Sequence, residues 1–305
     1  MQLTDFVLTI GSQWKKKYQG TVRKLSLSGP FSCPNRDGSI GRGGCTFCNV
    51  SSFSETSREA VADQIASQKL QEQDSVAYFA YFQSYTSTYA EISYLKYLYD
   101  EALCQSQVAG LCVGTRPDCV SDSCLDLLES YQDQGKEVIL ELGLQSALDR
   151  TLHRVNRGHD FAAYAESCRR ARKRGINVCT HLILGLPEES FADNLETLNK
   201  VLDTGVDALK LHPLHIVTGS VMAREYQRGS ITLLDLDEYV MRAGELVART
   251  PSHIVFHRLS ATARRPTLIA PDYCERKFTV IDRLTRYLSL YGCQGSALGD
   301  PYLPL

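Results

Sequence analysis

The stretch "CPNRDGSIGRGGCTFC" at residues 33–48 gathers three cysteines in one glycine-rich segment. Cys33, Cys45 and Cys48 are potential thiolate ligands, and neither a fourth cysteine nor a histidine lies near them in the sequence. Structural zinc sites and ordinary iron–sulfur clusters take four protein ligands. Three thiolates leave one metal corner open, so we predict a 4Fe–4S cluster whose fourth iron binds a small molecule.

A zinc site is the alternative interpretation of the same cysteines. Zinc would recruit its fourth ligand from a distant part of the chain, for example His212 or His257. The spacing of the cysteines and their position in the predicted fold favour the cluster.

Six apolar, strand-like runs alternate with segments of helical periodicity along most of the chain. Strand–helix units in series predict a parallel sheet with outer helices. Six units are too few for a closed eightfold barrel, so we expect an α/β fold built on a partial (β/α)6 barrel. The predicted strands are 23–28, 76–83, 109–115, 137–145, 176–185 and 206–214.

Two extensions flank the predicted barrel. Residues 1–22 are expected to form an N-terminal extension, residues 23–250 the barrel, and residues 251–305 a small C-terminal extension that packs on it. The last segment contains the strand-like "HIVFHRL" and the helix-like "KFTVIDRLTRYLSLYG".

Chemically distinctive residues follow the ends of the predicted strands. Because active sites of such barrels lie at the carboxyl ends of the strands, we expect these residues to share one site. On the fourth strand the polar residues alternate with leucines, which predicts a polar face toward the barrel interior. The strand-end set is Cys33, Gln83, Thr115–Asp118, Gln145, Gly185–Pro187, His212 and His215, and the polar face of the fourth strand is Glu141, Gly143 and Gln145.

The bulk composition indicates a soluble globular protein. The chain has 305 residues, of which 43% are hydrophobic and 22% charged, so it can bury a large core. No apolar run reaches the length of a membrane span, and the lysines near the start follow the apolar residues, the reverse of a secretory signal. Eleven cysteines, an odd number, are typical of a reducing compartment. We therefore predict a cytoplasmic protein with no membrane partner.

The net charge of −2 provides no overall attraction to nucleic acid. Local basic patches stay possible at Lys15–Lys17, at 169–175 and at Arg264–Arg265. For each of them we favour a solvated surface, and for 169–175 a helix C-terminus whose dipole favours cations.

Eight short motifs between about Lys24 and Arg265 carry a family resemblance. Together they resemble the radical S-adenosylmethionine (SAM) superfamily, and more narrowly its YhcC-like bacterial family, which is related to the radical SAM domain of elongator-type tRNA-modifying enzymes. The motifs are "FSCPNRDG", "GCTFCN", "YFQSYTSTYA", "VGTRPD", "ELGLQS", "LHRVNRGHD", "LILGLPEE" and "KLHPLHIV".

The resemblance implies a cofactor pair and a type of chemistry. SAM would chelate the open iron, the cluster would deliver one electron, and the sulfonium would break into methionine and a 5'-deoxyadenosyl radical that abstracts hydrogen from a substrate. A flavodoxin or ferredoxin would be a suitable electron donor.

The same resemblance assigns roles to several residues. Gln145 would contact the ribose or methionyl group of SAM, and Arg157 would bind its carboxylate with a guanidinium fork. Phe47, the aromatic residue before the last cysteine, is assigned to cofactor binding.

Three positions depart from the family pattern. Gly114 stands where relatives have an acid that contacts SAM, and we take Glu141 as its possible replacement. The resemblance implies an adenine contact from the backbone near Leu184 to Leu186, but the usual Gly-Leu-Pro-Gly turn there ends in Glu188 here, which limits this carry-over. Gln83 occupies the region of an absent Gly-Gly-Glu sequence.

By resemblance, the substrate is predicted to be tRNA, at the C5 side chain of the wobble uridine. A small metabolite or a tetrapyrrole is the alternative for the same chemistry. A zinc-stabilised barrel and a cluster-bearing scaffold without turnover are the non-radical alternatives. The roles of His212, His215 and Cys274 stay open.

Overall fold

Seven parallel strands form one curled sheet in the computed structural model, which describes residues 1–49, 59–68 and 76–298. The strands lie side by side in chain order, so every connection leads to the neighbouring strand. They are β1 (Thr21–Leu27), β2 (Val76–Phe82), β3 (Val108–Thr115), β4 (Glu137–Gln145), β5 (Asn177–Leu184), β6 (Ala208–Pro213) and, after a short strand β7 (Ile216–Val217), β8 (Val255–Arg258). β7 pairs with β9 (Leu268–Ala270) in a small antiparallel sheet.

Helices connect the strands and cover the outer face of the sheet. Polar side chains cap several of them; Ser121, for example, accepts a hydrogen bond from the backbone N–H of Cys124 at the start of α5. The described helices are α1 (Ile10–Tyr18), α2 (Pro34–Asp37), α3 (Val61–Ser67), α4 (Ile92–Leu103), α5 (Asp122–Asp133), α6 (Asp149–Arg154), α7 (Phe161–Lys173), α8 (Phe191–Asp203), α9 (Val221–Gln227), α10 (Leu236–Ala248) and α11 (Lys277–Tyr291).

The two faces of the sheet have different roles. Leu140, Leu142 and Leu144 of β4 are fully buried on the side covered by α5 and α7, where burial of apolar surface stabilises the fold. The residues between them face the barrel interior. This alternation confirms the α/β partial barrel that the sequence predicts.

An aromatic cluster lies at the amino-terminal end of the barrel interior. The rings of Trp14, from α1, and Phe79, from β2, stack with centroids 4.2 Å apart. The Trp14 indole N–H also donates to Glu137 at the start of β4. A cavity of about 180 Å³ remains at this end beside Glu137, Asn177 and Asp207, and a second one of about 260 Å³ opens at the carboxyl ends of the strands.

The sheet is one strand wider than the six-strand prediction. β8, within the segment predicted as a C-terminal extension, pairs in parallel with β6 and continues the barrel sheet past residue 250. α10 provides the crossover that a parallel neighbour requires. The six predicted strands themselves agree with the structure to within two residues at each end. Residues 299–305 of the predicted extension lie outside the described residues.

Candidate active site

A cavity of about 260 Å³ opens at the carboxyl ends of the strands. All three cysteines of the 33–48 stretch line it, together with Phe47 and Gln83. Of the other predicted residues, the structure also brings Thr115, Arg116, Glu141, Gly143, Gln145, Arg157, His212 and His215 to this cavity.

The cysteine segment is held in a closed loop by its own backbone and by Arg36. The backbone N–H of Cys48 donates to the carbonyl of Cys45 at 3.0 Å, and the Arg36 guanidinium donates to the Cys48 carbonyl at 2.8 Å. Gly44 has φ of +78°, and a Cβ there would lie 2.7 Å from Arg36 Nε. Glycine at this position therefore permits the close approach of the loop to Arg36.

Two side chains, those of Arg157 and Asn35, contact the sulfur of Cys45. Arg157 Nη1 lies 3.3 Å from Cys45 Sγ, and its Nη2 donates to the carbonyl of Gly143. A Cβ on Gly143 would lie 3.0 Å from that Nη2. Asn35 Nδ2 lies 3.7 Å from the same sulfur and donates to the carbonyl of Asn156. Buried Asn35, directly after the Cys-Pro pair, was not predicted as a site residue.

The protonation state of the cysteines bears on metal binding. Burial raises the pKa of the Cys48 thiol, the neighbouring Cys45 raises it further, and Arg36 opposes the rise. The thiol is therefore neutral in the metal-free chain near pH 7, and a metal has to displace its proton.

The donor set around the cysteines fits an iron–sulfur cluster with SAM. Among the described residues, three thiols share the cavity, and no group of three His, Cys, Asp or Glu side chains is arranged to hold a single metal ion. Arg116 Nη1 and Arg157 Nε are buried donors without a described acceptor. Thiolates and a SAM carboxylate would supply negative charge beside these two donors.

The zinc alternative finds little support in the histidines. His257 Nδ1 lies 3.5 Å from Glu141 Oε1, and His257 does not line the cavity that the cysteines share. His212 lines the cavity and packs beside His181, with ring centroids 5.9 Å apart.

Glu141 lies at the centre of a buried charge cluster. It is fully buried; Oε1 accepts from Lys24 at 2.8 Å, and Oε2 accepts from Lys210 and lies 3.1 Å from His181 Nε2. Lys210 also donates to the Tyr81 hydroxyl at 3.0 Å. Burial alone would raise the pKa of Glu141, but Lys210 and Lys24 hold it well below its usual value. A contact between Glu141 and SAM would compete with both lysines.

The remaining predicted SAM contacts occupy different environments. Gln145, at the end of β4, has φ of +82°, a conformation that costs a non-glycine residue on the order of 1–3 kcal/mol. Leu184 and Leu186 are buried in the apolar core and do not line the cavity. The Leu184 carbonyl accepts from the backbone N–H of Leu214 at 2.8 Å. The predicted contact between the adenine of SAM and the backbone of Leu184 and Leu186 stays a prediction.

Lys24 and Lys210 are further residues that sequence reasoning missed. Each is a charged residue inside an apolar strand, in "RKLSLS" and "VDALKLHPL". A lysine ammonium that points into the interior of a sheet requires a counter-charge, and this was the available signal.

Comparison with known proteins shows the family. The Radical SAM superfamily model matches residues 37–201, and the Radical_SAM C-terminal domain model matches residues 206–289. Protein YhcC of Escherichia coli (strain K12) is 54% identical over 306 aligned residues, covering 100% of this chain and 99% of YhcC.

More distant similarities extend to the elongator proteins. Elongator complex protein 3 of Mus musculus is 29% identical over 149 residues, which are 47% of this chain and 26% of that protein. The solved structure of archaeal Methanocaldococcus infernus Elp3 superposes with a TM-score of 0.64 at 14% identity, covering 90% of this chain and 64% of that one, and shows the same fold. The chain therefore belongs to the radical SAM superfamily of enzymes, which use a 4Fe–4S cluster and SAM.

Proposed function

We propose that Cys33, Cys45 and Cys48 hold the cluster and that the chain cleaves SAM reductively to start hydrogen abstraction from a substrate in the cavity. The observation that carries the proposal is that three thiols and the buried Arg157 side chain line one cavity, where Arg157 contacts Cys45. When bound, the cluster supplies the electron that breaks the sulfonium of SAM into methionine and a 5'-deoxyadenosyl radical.

The residues of the chain position the cosubstrate and exclude water. Arg157 binds the SAM carboxylate, for which its planar fork is suited. Gln145, whose side chain lies beside Arg157 over Gly143, contacts the ribose or methionyl group, and Phe47 covers the cofactor side of the loop. Gln83 lines the end of β2, where the SAM amino group is expected. The electron comes from a flavodoxin- or ferredoxin-type donor.

For the substrate, we propose tRNA and the C5 side chain of its wobble uridine. The support is the resemblance to the elongator branch together with the 29% identity to Elongator complex protein 3 over 47% of the chain. The cavity opens to solvent at the strand ends, so a nucleotide extruded from a loop would have access to the cysteines.

A small-molecule substrate is the second candidate, and one observation favours it. Basic side chains of the 169–175 cluster are paired with acids: Arg170 with Asp122, and Arg174 with Asp126. At Lys15–Lys17, Lys17 pairs with Glu137 at the amino-terminal end of the sheet, opposite the cavity. These two clusters therefore offer no unpaired charge beside the cavity for phosphates of a large RNA. In the third, Arg264–Arg265, Arg265 pairs with Asp272 and Glu275, and Arg264 is exposed.

Anaerobic SAM cleavage tests the chemistry. Purified, cluster-loaded protein with dithionite should form 5'-deoxyadenosine, and Cys45→Ala should abolish it. Cys104→Ala, an exposed cysteine at the end of α4, is the matched control and should retain the activity. Absence of 5'-deoxyadenosine from protein that contains about four irons and matching sulfide would refute the proposal.

A nucleoside comparison tests the substrate. Digested tRNA from cells with and without the gene should differ in modified wobble uridines if tRNA is the substrate. Identical nucleoside profiles would exclude tRNA and leave the small-molecule candidate.

A further inference from the structure

The end of the cavity formed by β6 and β8 carries an excess of positive charge. Lys210 and Arg258 line this end. Lys24 and Lys210 both donate to the carboxylate of Glu141. Among the residues that line the cavity, Glu141 is the only Asp or Glu. Three cations therefore face one anion at this end of the described cavity.

The sheet register brings the charged groups together. Lys210 is the register partner of His181 on β5 and of Arg258 on β8, and neighbouring strands lie about 4.8 Å apart. His212, two residues after Lys210, shares its face of β6. The register shifts next to Lys210, and an irregularity of this kind re-aims side chains. As a result His257 reaches Glu141 while Arg258, the next residue, lines the cavity.

Several polar groups here have unused hydrogen-bonding capacity. The Lys210 ammonium has three N–H donors, of which two are directed to Glu141 and Tyr81. His212 Nε2 is buried without a hydrogen-bond partner among the described residues. The Arg258 guanidinium is exposed at the cavity and forms no ion pair within the described part of the chain.

The two histidines at this end of the cavity, His181 and His212, add no charge to it. Burial lowers the pKa of His181 to about 4, and burial together with Arg258 holds the pKa of His212 well below its usual value. Both rings are neutral near pH 7, so the fixed cations dominate the electrostatics of this end.

The negative charges of the cofactors are matched elsewhere. Arg36, Arg116 and Arg157 surround the cysteines, where the thiolates and the SAM carboxylate would lie. Lys210 and Arg258 come from the last two strands of the sheet, and Lys210 donates to Glu141 and Tyr81 rather than to the cysteine loop. They are left for a second negatively charged ligand.

We propose that Lys210, Arg258 and His212 form an anion subsite that binds a carboxylate or phosphate group of the substrate. The subsite orients the rest of the substrate toward the cysteine side of the cavity. This inference rests on the proposed function in taking the ligand of the subsite to be the substrate.

The test measures anion binding directly. Cluster-loaded protein saturated with SAM is unfolded thermally in rising concentrations of malonate, inorganic phosphate or neutral malonamide, all at constant ionic strength. A ligand that binds the folded state raises the unfolding temperature with its concentration. Saturable stabilisation by malonate would identify a carboxylate site, and saturable stabilisation by phosphate would identify a phosphate site. Either result supports the subsite. Malonamide should have no effect.

Variants assign the binding to the subsite. Arg258→Gln should weaken the apparent anion affinity at least tenfold, and Arg258→Lys should retain most of it. Arg264→Gln, an exposed arginine nearby that does not line the cavity, should bind like the wild type. Absence of saturable stabilisation in the wild type, or equal affinity in Arg258→Gln, would overturn the subsite. SAM cleavage in the same samples reports separately on the proposed function.

Discussion

Arg157 joins the cysteine loop to the fourth strand, because its Nη1 lies 3.3 Å from Cys45 Sγ and its Nη2 donates to the carbonyl of Gly143. Its proposed partner in the active complex is the SAM carboxylate. A charge-assisted hydrogen bond contributes about 1.5–3 kcal/mol, which corresponds to a roughly 10- to 150-fold change in affinity. Arg157→Gln should weaken SAM binding by a factor in this range, measured by the effect of SAM on the electron paramagnetic resonance spectrum of the reduced cluster.

The control for Arg157 lies on the preceding turn. Arg154 pairs with Glu188 and Glu225 and does not line the cavity, so Arg154→Gln should leave SAM affinity unchanged. The SAM affinity of Arg157→Lys should lie between those of Arg154→Gln and Arg157→Gln, since lysine keeps the charge but not the planar fork. Unchanged SAM affinity in Arg157→Gln with an intact cluster would remove Arg157 from the SAM site.

Glu141 neutralises two lysines in the barrel interior, and its loss should destabilise the fold. Glu141→Gln leaves Lys24 and Lys210 without their shared carboxylate. Breaking a buried ion pair costs about 3–5 kcal/mol, and we expect a loss in this range in urea unfolding. Glu166→Gln, which removes an exposed carboxylate beside Arg169, should cause no measurable loss.

The effect of Glu141 should depend on pH in a defined direction. Its pKa in the folded protein is below the ordinary value, so its stabilisation is complete above the unfolded-state pKa and is lost as the pH falls toward the folded value. The difference in unfolding free energy between wild type and Glu141→Gln should be constant above about pH 5.5 and shrink below about pH 4.5. A difference that grows on acidification would contradict this account.

At the scale of elements, the close packing of α10 on α11 depends on one glycine. A Cβ on Gly244 would lie 2.3 Å from the ring of Tyr287. Alanine has the higher helix propensity, but the clash is with a packed ring, and overpacking costs about 1–3 kcal/mol. Gly244→Ala should therefore lower the free energy of unfolding.

For Gly11 in α1, in contrast, we expect substitution by alanine not to lower stability. Gly11 in α1 has no atom nearer than 3.9 Å to an added Cβ. Gly11→Ala should leave stability unchanged or raise it by up to about 1 kcal/mol. Equal effects of the two substitutions would show that helix propensity rather than packing controls both sites.

The elements also show what sequence patterns can and cannot predict. β4 is predicted correctly from Glu137 to Gln145 because its apolar run and its polar alternation are local features. β8 has only four residues, ends in His257 and Arg258, and joins the sheet through pairing with β6, so no local pattern assigned it to the barrel. The Glu141 cluster depends on contacts with Lys24 and Lys210, which are 117 and 69 residues away. Such contacts follow from sheet order and register, which composition and periodicity do not contain.

At the scale of the whole molecule, the two ends of the half-barrel differ in their contents. Trp14 and Phe79 stack at the amino-terminal end, and the cysteine loop lies at the other. The large apolar core between sheet and helices contains none of the three cysteines. The fold of the barrel should consequently not require the cluster, whereas the position of the loop should depend on it.

Removal of the cluster should therefore lower stability without abolishing the fold. A ligand at 100 times its dissociation constant stabilises by about 2.7 kcal/mol, so for a chain of 305 residues we expect the unfolding temperature to fall by about 4 °C. The far-UV circular dichroism of the apoprotein should stay close to that of the loaded protein. Trypsin should cut faster after exposed Arg42 in the loop once the cluster is removed. A variant with alanine at Cys33, Cys45 and Cys48 should behave like the apoprotein in all three measurements, and loss of helical signal in either sample would show that the cluster is needed for the barrel itself.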